Sequence, residues 1–154
     1  MKTKAKTSPT QQLKSFIAKF DGKNQALIRS ARKKLQKRFP TANELVYDNY
    51  NFFVIGYCPT ERPSDCIVSL VAGASGVGLS FYRGAILPDP NKLLLGSGSQ
   101  NRFIRLPSVA ILSVPQVEEL IAAAIAQSRA PLPKSGKGKL IIRSVSKAQR
   151  PRRK

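Results

Sequence analysis

Residues 83–106, RGAILPDPNKLLLGSGSQNRFIRL, hold two prolines and three glycines, so no helix of ordinary length runs through them. This stretch has to be a connection between regular elements, and the rest of the chain folds around it. Pro88 and Pro90 bias Leu87 and Asp89 away from helical geometry. Asp89 and Pro90 then suit the cap and first residue of a short helical turn through Asn91 to Leu94, which Gly96-Ser97-Gly98 ends. Asn101 to Leu106 reads as a strand. Arg83, Lys92, Arg102 and Arg105 thus lie close in sequence to one glycine-flanked loop, where the free N–H groups around Gly96 and Gly98 can line an anion-binding concavity. The plainer reading is a structural crossover with solvated cations.

Charge is divided as sharply as turn chemistry. The formal net charge is +19, from 27 Lys/Arg and 8 Asp/Glu. Residues 1–40 carry +11, residues 41–127 carry −2 and residues 128–154 carry +10. The centre is nearly neutral, and the basicity sits on the first helices and the two ends. Basic arms of this kind attract nucleic acid and other polyanions through counterion release without reading sequence. Keeping the protein soluble is the bland alternative.

Hydrophobic residues make up 42% of the chain, which excludes wholesale disorder and supports one core. No apolar run approaches the roughly 20 residues that span a bilayer, so no membrane partner is expected. The N-terminal MKTKAKTSPTQQ has no apolar segment behind its lysines; no secretory signal is expected, and a cytoplasmic location is the default. Histidine is absent, which removes the Ser-His-Asp triad, the Cys-His dyad and every His-ligated zinc site. Cys58 and Cys66 flank the loop from Pro59 to Asp65 and read as two ordinary buried or semi-buried thiols. With nothing to bring two catalytic groups together, the chain is expected not to be an enzyme, with no catalytic residue, metal or cofactor.

Taken in order, residues 1–9 form a basic, disordered leader, residues 10–128 an α+β domain, and residues 129–154 a basic Pro/Gly linker and tail. Thr10 caps a first helix with an apolar stripe at Leu13, Phe16, Ile17 and Phe20, which Asp21-Gly22 breaks. A second helix runs to about Arg38 with Leu27, Ala31 and Leu35 inward. Its basic face, with Arg29, Arg32, Lys33 and Lys37, is the best helical candidate for phosphate contact, beside the terminal Arg150, Arg152 and Arg153. Thr41 and Glu44 have capping-box spacing, which predicts a short helical turn over Ala42 to Val46. Strands follow over 51–57, Cys66–Ala72 and Val77–Tyr82. The glycine run GASGVG at 73–78 precedes a strand, so it is a hairpin turn and not a dinucleotide loop. After a turn at Ser108–Leu112, Ser113 and Gln116 have the spacing of a second capping box. The helix behind them carries Val117, Leu120, Ile121, Ala124 and Ile125. Leu140 to Val145 is available as an edge strand or a docking segment. Helices, a run of strands, then a helix predict α+β architecture: a twisted antiparallel sheet with N- and C-terminal helices packed on one face.

PTANELVYDNYNFFVIGY, GLSFYRGAILPDPNKLLLGSGSQNRFIRL and VEELIAAAIA together resemble the YdhG-like family of small bacterial domains, over roughly residues 11–127. The resemblance implies a frataxin-like fold, and for one branch of the family an iron-chaperone role. Iron as a hard cation selects oxygen ligands. The first two helices carry eight Lys/Arg from Lys19 to Arg38 against Asp21 alone, leaving Glu44, Asp48, Glu61 and Asp65 as the carboxylates near in sequence.

Two functions compete. One is a non-enzymatic module whose basic tails and second helix contact nucleic acid or another polyanion nonspecifically. The other is a frataxin-like domain handling iron or a small anionic ligand, its site between Tyr47–Tyr50 and the loop bearing Lys92, Gly96, Gly98 and Arg102.

Overall fold

The computed structural model describes residues 7–154, so most of the leader expected over residues 1–9 lies outside the described residues. Ser8, not Thr10, caps the first helix, α1 (Pro9–Ile17). Its hydroxyl accepts the Gln11 N–H at 3.2 Å, and the Gln11 side chain accepts the Ser8 N–H in return. The start moves because Pro9 brings the φ that a first helical residue needs and no N–H to leave unpaired. Asp21 both follows α1 and caps α2 (Gly22–Arg38), accepting the Asn24 N–H at 2.8 Å. Leu13, Phe16 and Ile17 of α1 are buried, as are Ile28, Ala31 and Leu35 of α2, while Leu27 is only partly buried.

The helical turn expected at Ala42–Val46 does not form. Asn43–Asp48 is strand β1, pairing in full antiparallel register with β2 (Phe53–Cys58) from Asn43 opposite Cys58 to Asp48 opposite Phe53. A capping box is worth about 1 kcal/mol, and a ladder on both flanks outweighs it. Antiparallel pairing continues through β3 (Val68–Gly73), β4 (Gly76–Phe81) and β5 (Arg102–Arg105). The β3–β4 connection is the tight hairpin the glycines predict, with Gly76 at φ 139°. The last helix, α3 (Pro115–Ala126), precedes β6 (Leu140–Val145).

The fold is α+β, but the sheet is mixed rather than wholly antiparallel. Strand order is β5-β4-β3-β2-β1-β6, and β6 runs parallel to β1. A parallel neighbour requires a crossover, and α3 with the Pro/Gly segment behind it provides one. Residues 140–145 of the expected linker and tail are therefore part of the sheet.

Two further expected helical features are replaced. Both Asp89 carboxylate oxygens accept backbone N–H groups, from Leu93 and Leu94 at 2.9 Å each, yet the backbone turns left-handed at Lys92 (φ 52°) and no helix follows. Ser113 does not cap α3; Val114 holds that position without a side-chain bond, and the Ser113 hydroxyl accepts from the Lys34 ammonium.

All three helices lie on one sheet face. Phe53, Ile55, Tyr57, Leu70, Leu79 and Phe81 point into them, and Phe53 sits 6.3 Å from the Phe16 ring and 6.0 Å from the Phe20 ring. On the opposite face only Leu45, Cys58 and Cys66 form a buried cluster, with Tyr47 and Ile141 against it.

The chain enters β6 through Gly138, whose absent Cβ would overlap the Ala42 carbonyl. The Lys139 N–H donates to the Asn43 side chain at 2.9 Å, and the Glu44 N–H to the Lys139 carbonyl at 2.8 Å. Gly138→Ala is expected to lower the urea midpoint, by about 1–3 kcal/mol on the scale of overpacked sites. Gly136→Ala, where a Cβ meets open space, carries only the cost of its φ of 91° and loses less. Equal losses in the two variants would contradict the close approach.

Candidate polyanion-binding surface and its buried carboxylates

Where the acids go decides what the surface is. Glu44, on β1, is 6% exposed and accepts a two-pronged bond from Arg32 of α2, with Nε at 3.0 Å and Nη2 at 2.9 Å. The Tyr57 hydroxyl donates to it at 2.9 Å and the Gln36 amide at 3.0 Å. Burial works against the Arg32 charge, but the hydrogen bond and proximity to Glu44 outweigh it and hold its pKa above the ordinary value. Burial, then the Glu44 charge, pushes the Tyr57 phenol well above its usual range. Arg32 is thus a partner of Glu44 and not a free cation for phosphate.

Asp48, four residues on and on the same strand face, has a fully buried side chain. It accepts from Lys19, in the turn after α1, at 2.7 Å and from Arg152 at 2.9 Å. Arg152 is itself 4% exposed and also donates to the Asn49 carbonyl at 2.6 Å. The expectation that Arg152 contacts nucleic acid is corrected: it is an internal cation, drawn in because a buried carboxylate is costly unless paired. Its neighbours fasten the same joint. The Gln149 amide donates to the Asp48 carbonyl at 2.7 Å, the Ser146 N–H to the same carbonyl at 2.9 Å, and Arg153 Nε to the Lys19 carbonyl at 3.1 Å. The C-terminal segment is a clasp joining α1, β1 and β6.

The remaining acids are also engaged, with one exception. Asp21 and Asp89 accept backbone N–H groups, and Asp65 accepts the Thr60 hydroxyl at 2.8 Å. Glu118 pairs with Arg38 at 2.8 Å, and Glu61 lies 3.8 Å from Lys139. Among the described residues only Glu119 makes no such contact, so seven of the eight acids have a partner, with Glu44 and Asp48 buried and Glu61 and Glu118 paired at the surface. No group of three or more potential metal ligands occurs among the described residues.

Three cations of α2 have no such inward use. Arg29, Lys33 and Lys37 are exposed on α2 at four-residue spacing, a stripe of about 12 Å at 1.5 Å rise per residue. Arg150 stacks over the exposed Tyr50 ring at 5.5 Å and donates to Asn51 at 2.9 Å.

The loop site does not assemble as expected. Tyr47 lies on β1 and Arg105 on β5, four strands apart in the sheet order, about 19 Å at 4.8 Å per strand. Arg102 folds back onto the Asn101 carbonyl at 2.8 Å, with its Cβ against Gly84. Gly96 lies over Arg102 and Phe103, Gly98 contributes a carbonyl to Arg102, and Lys92 is exposed. Arg83 donates to the Gln127 carbonyl at 3.4 Å and, with Arg129, lines a cavity of about 10 Å³, room for one water. Arg83, Lys92, Arg102 and Arg105 therefore do not converge on Tyr47 and Tyr50. The cysteines are free and buried; a bond from Cys66 draws the Cys58 thiol down to about 7, and the same bond with burial pushes Cys66 up.

Sequence reasoning missed the Glu44 and Asp48 pairs. A signal was present: in NELVYD both acids fall on the strand face that also carries Val46, and a carboxylate on a core face needs a partner.

Comparison of the chain with protein-family models, with curated proteins and with solved structures finds no match.

Asp48→Asn leaves Arg152 charged and unpaired in the interior, and is expected to cost about 3–5 kcal/mol in urea denaturation. Asp48→Asn combined with Arg152→Met is expected to recover much of that loss; a double variant as unstable as the sum of its parts would contradict the pairing. Tyr57, with its folded pKa raised, contributes stability that is whole below the unfolded value near 10 and drains away as pH rises beyond it. The wild-type chain should accordingly lose stability more steeply above pH 10 than Tyr57→Phe does, measured by thermal unfolding.

Proposed function

We propose that this chain is a non-enzymatic nucleic-acid-binding domain that engages phosphates through its basic surface. The observation that carries the reading is the internal use of its acids. Seven of eight carboxylates are engaged by caps, hydroxyls and ion pairs, which commits Lys19, Arg32, Arg38, Lys139 and Arg152 and leaves most other cations of the described residues with no carboxylate beside them. A surface of this kind raises the local concentration of polyanions and releases their counterions on contact. The Arg29, Lys33 and Lys37 stripe, with Arg150 and Arg153 at the clasp, are the contacts of choice.

The iron-handling role implied by the YdhG-like resemblance draws less support. Its nearest carboxylates in sequence include Glu44 and Asp48, which Arg32, Lys19 and Arg152 already neutralise. No helix among the described residues is long and apolar enough to cross a membrane.

Fluorescence anisotropy of the full chain with a generic duplex, across 50–200 mM salt, tests the reading. Affinity is expected to fall steeply with salt. Arg29→Gln/Lys33→Gln/Lys37→Gln is expected to flatten the log–log slope by about 2–3, at roughly 0.9 per phosphate contact. Binding that ignores both salt and the triple substitution would sink the proposal. Deleting the tail is the wrong test, because removal of residues 131–154 also removes β6 and Arg152.

A further inference from the structure

The sheet has a second face; none of α1, α2 and α3 packs on it, and the segment 59–66 covers only its Gly56–Leu45 end, where Cys66 lies over Gly56. Strand register maps that face in rows. One row crosses from Arg105 through Gly78, Val71 and Val54 to Tyr47, with Arg143 on β6 at the bulge beyond. The next runs from Phe103 through Ser80, Ser69 and Gly56 to Leu45. Neither row contains an acid. The middle of both is glycine, serine and valine, a low floor, while the rings and guanidinium groups stand toward the edges. Phe52 lies against Gly73 on this face, its ring 3.2 Å from where a Cβ would be, and is 49% exposed. Arg105 covers the Phe103 ring at 5.9 Å.

We propose that this open face is a stacking platform for the unpaired bases of single-stranded nucleic acid. The inference rests on the nucleic-acid reading above and adds to it which form of nucleic acid is preferred and where its bases lie. An exposed ring such as Phe52, with the half-buried Phe103 farther along the sheet, accepts any base by its π-face, and flanking arginines take the phosphates. A duplex hides those faces in its own stack and offers only phosphate. Charge complementarity argues against a second copy of this chain, since that copy brings the same positive surface to a face that already carries Arg105 and Arg143. The row from Arg105 to Tyr47 spans four strand spacings, about 19 Å, enough for several nucleotides.

The test uses the full chain with fluorescein-labelled dT15 and rU15 and with a duplex of the same length, at one fixed salt concentration. Single strands are expected to bind more tightly than duplex. Phe52→Ala/Phe103→Ala is expected to weaken single-strand binding by about tenfold or more and duplex binding less than twofold. Circular dichroism and the urea midpoint show whether the double variant is folded. Should it not be, Arg105→Glu, at an exposed position, is expected to weaken single-strand binding selectively. In the unaltered protein, photocrosslinks from 5-iodouracil oligomers are expected on Phe52, Phe103 or Tyr47. Equal affinity for single strand and duplex with crosslinks confined to α2 would overturn the platform and leave phosphate binding intact. Loss of all binding to either oligomer would overturn both readings. Displacement of the oligomer by poly-glutamate that itself depends on Phe52 and Phe103 would assign the face to an acidic polypeptide instead, and overturn the nucleotide occupant.

Discussion

The Asp48 carboxylate is the constraint on which the arrangement of the chain's two ends depends. It stands on the core face of β1, where a negative charge without partners would cost several kcal/mol, and it is satisfied only by cations from distant segments. Lys19 comes from the turn just after α1, and Arg152 lies two residues before Lys154. Neither is near Asp48 in sequence, so the pair forms only when α1 has docked and β6 has run alongside β1. Attraction between these charges is therefore also a statement about topology: it rewards one placement of both ends and penalises the others. Two Arg152 nitrogens, Nε and Nη1, find no partner among the described residues, so the solution is not free of cost.

Glu44 repeats the logic at the other end of β1. With Arg32 and Gln36 from α2 and Tyr57 from β2 around it, it fixes how the second helix sits over the sheet. Apolar packing alone would leave that helix some freedom to slide and roll, since ridges and grooves repeat along it. A bidentate guanidinium–carboxylate contact does not repeat. Two carboxylates on one strand thus pin α1, α2 and the C-terminal segment.

Much of the architecture was legible because its signals are local. The apolar stripes of α1 and α3, the β-rich centre and the GASGVG hairpin each declare themselves within a few residues. What was hidden is non-local. Asn43–Asp48 carries capping-box chemistry at Thr41 and Glu44, and only the strands on either side of it decide against a helical turn. The parallel partner β6 lies behind a Pro/Gly segment that reads as a tail, because nothing within Leu140–Val145 states which strand it will meet. The loop site failed for a related reason: proximity in sequence gathered Arg83, Lys92, Arg102 and Arg105, but the sheet order holds Tyr47 four strands from Arg105. Arg152 is the sharpest case. In RPRRK it looks like its neighbours, and only the carboxylate 104 positions earlier distinguishes it.

That distinction bears on how such a basic protein works. Charge that faces outward and charge that holds the fold are drawn from the same residue types, so composition alone overstates the binding surface. Among the cations not committed to Glu44, Asp48 and Glu118 are the α2 stripe, Arg150 and the arginines flanking the open sheet face. These lie on different sides of the molecule: α2 on the helical layer, Arg105 and Arg143 on the uncovered face. A double helix is a stiff rod whose phosphates meet one side of a protein unless it is bent, and bending is costly. A flexible single strand passes from one side to the other over the sheet edge at little cost. Under the proposed reading, the geometry of the uncommitted charge would therefore suit a flexible polyanion, independently of any contact its bases make.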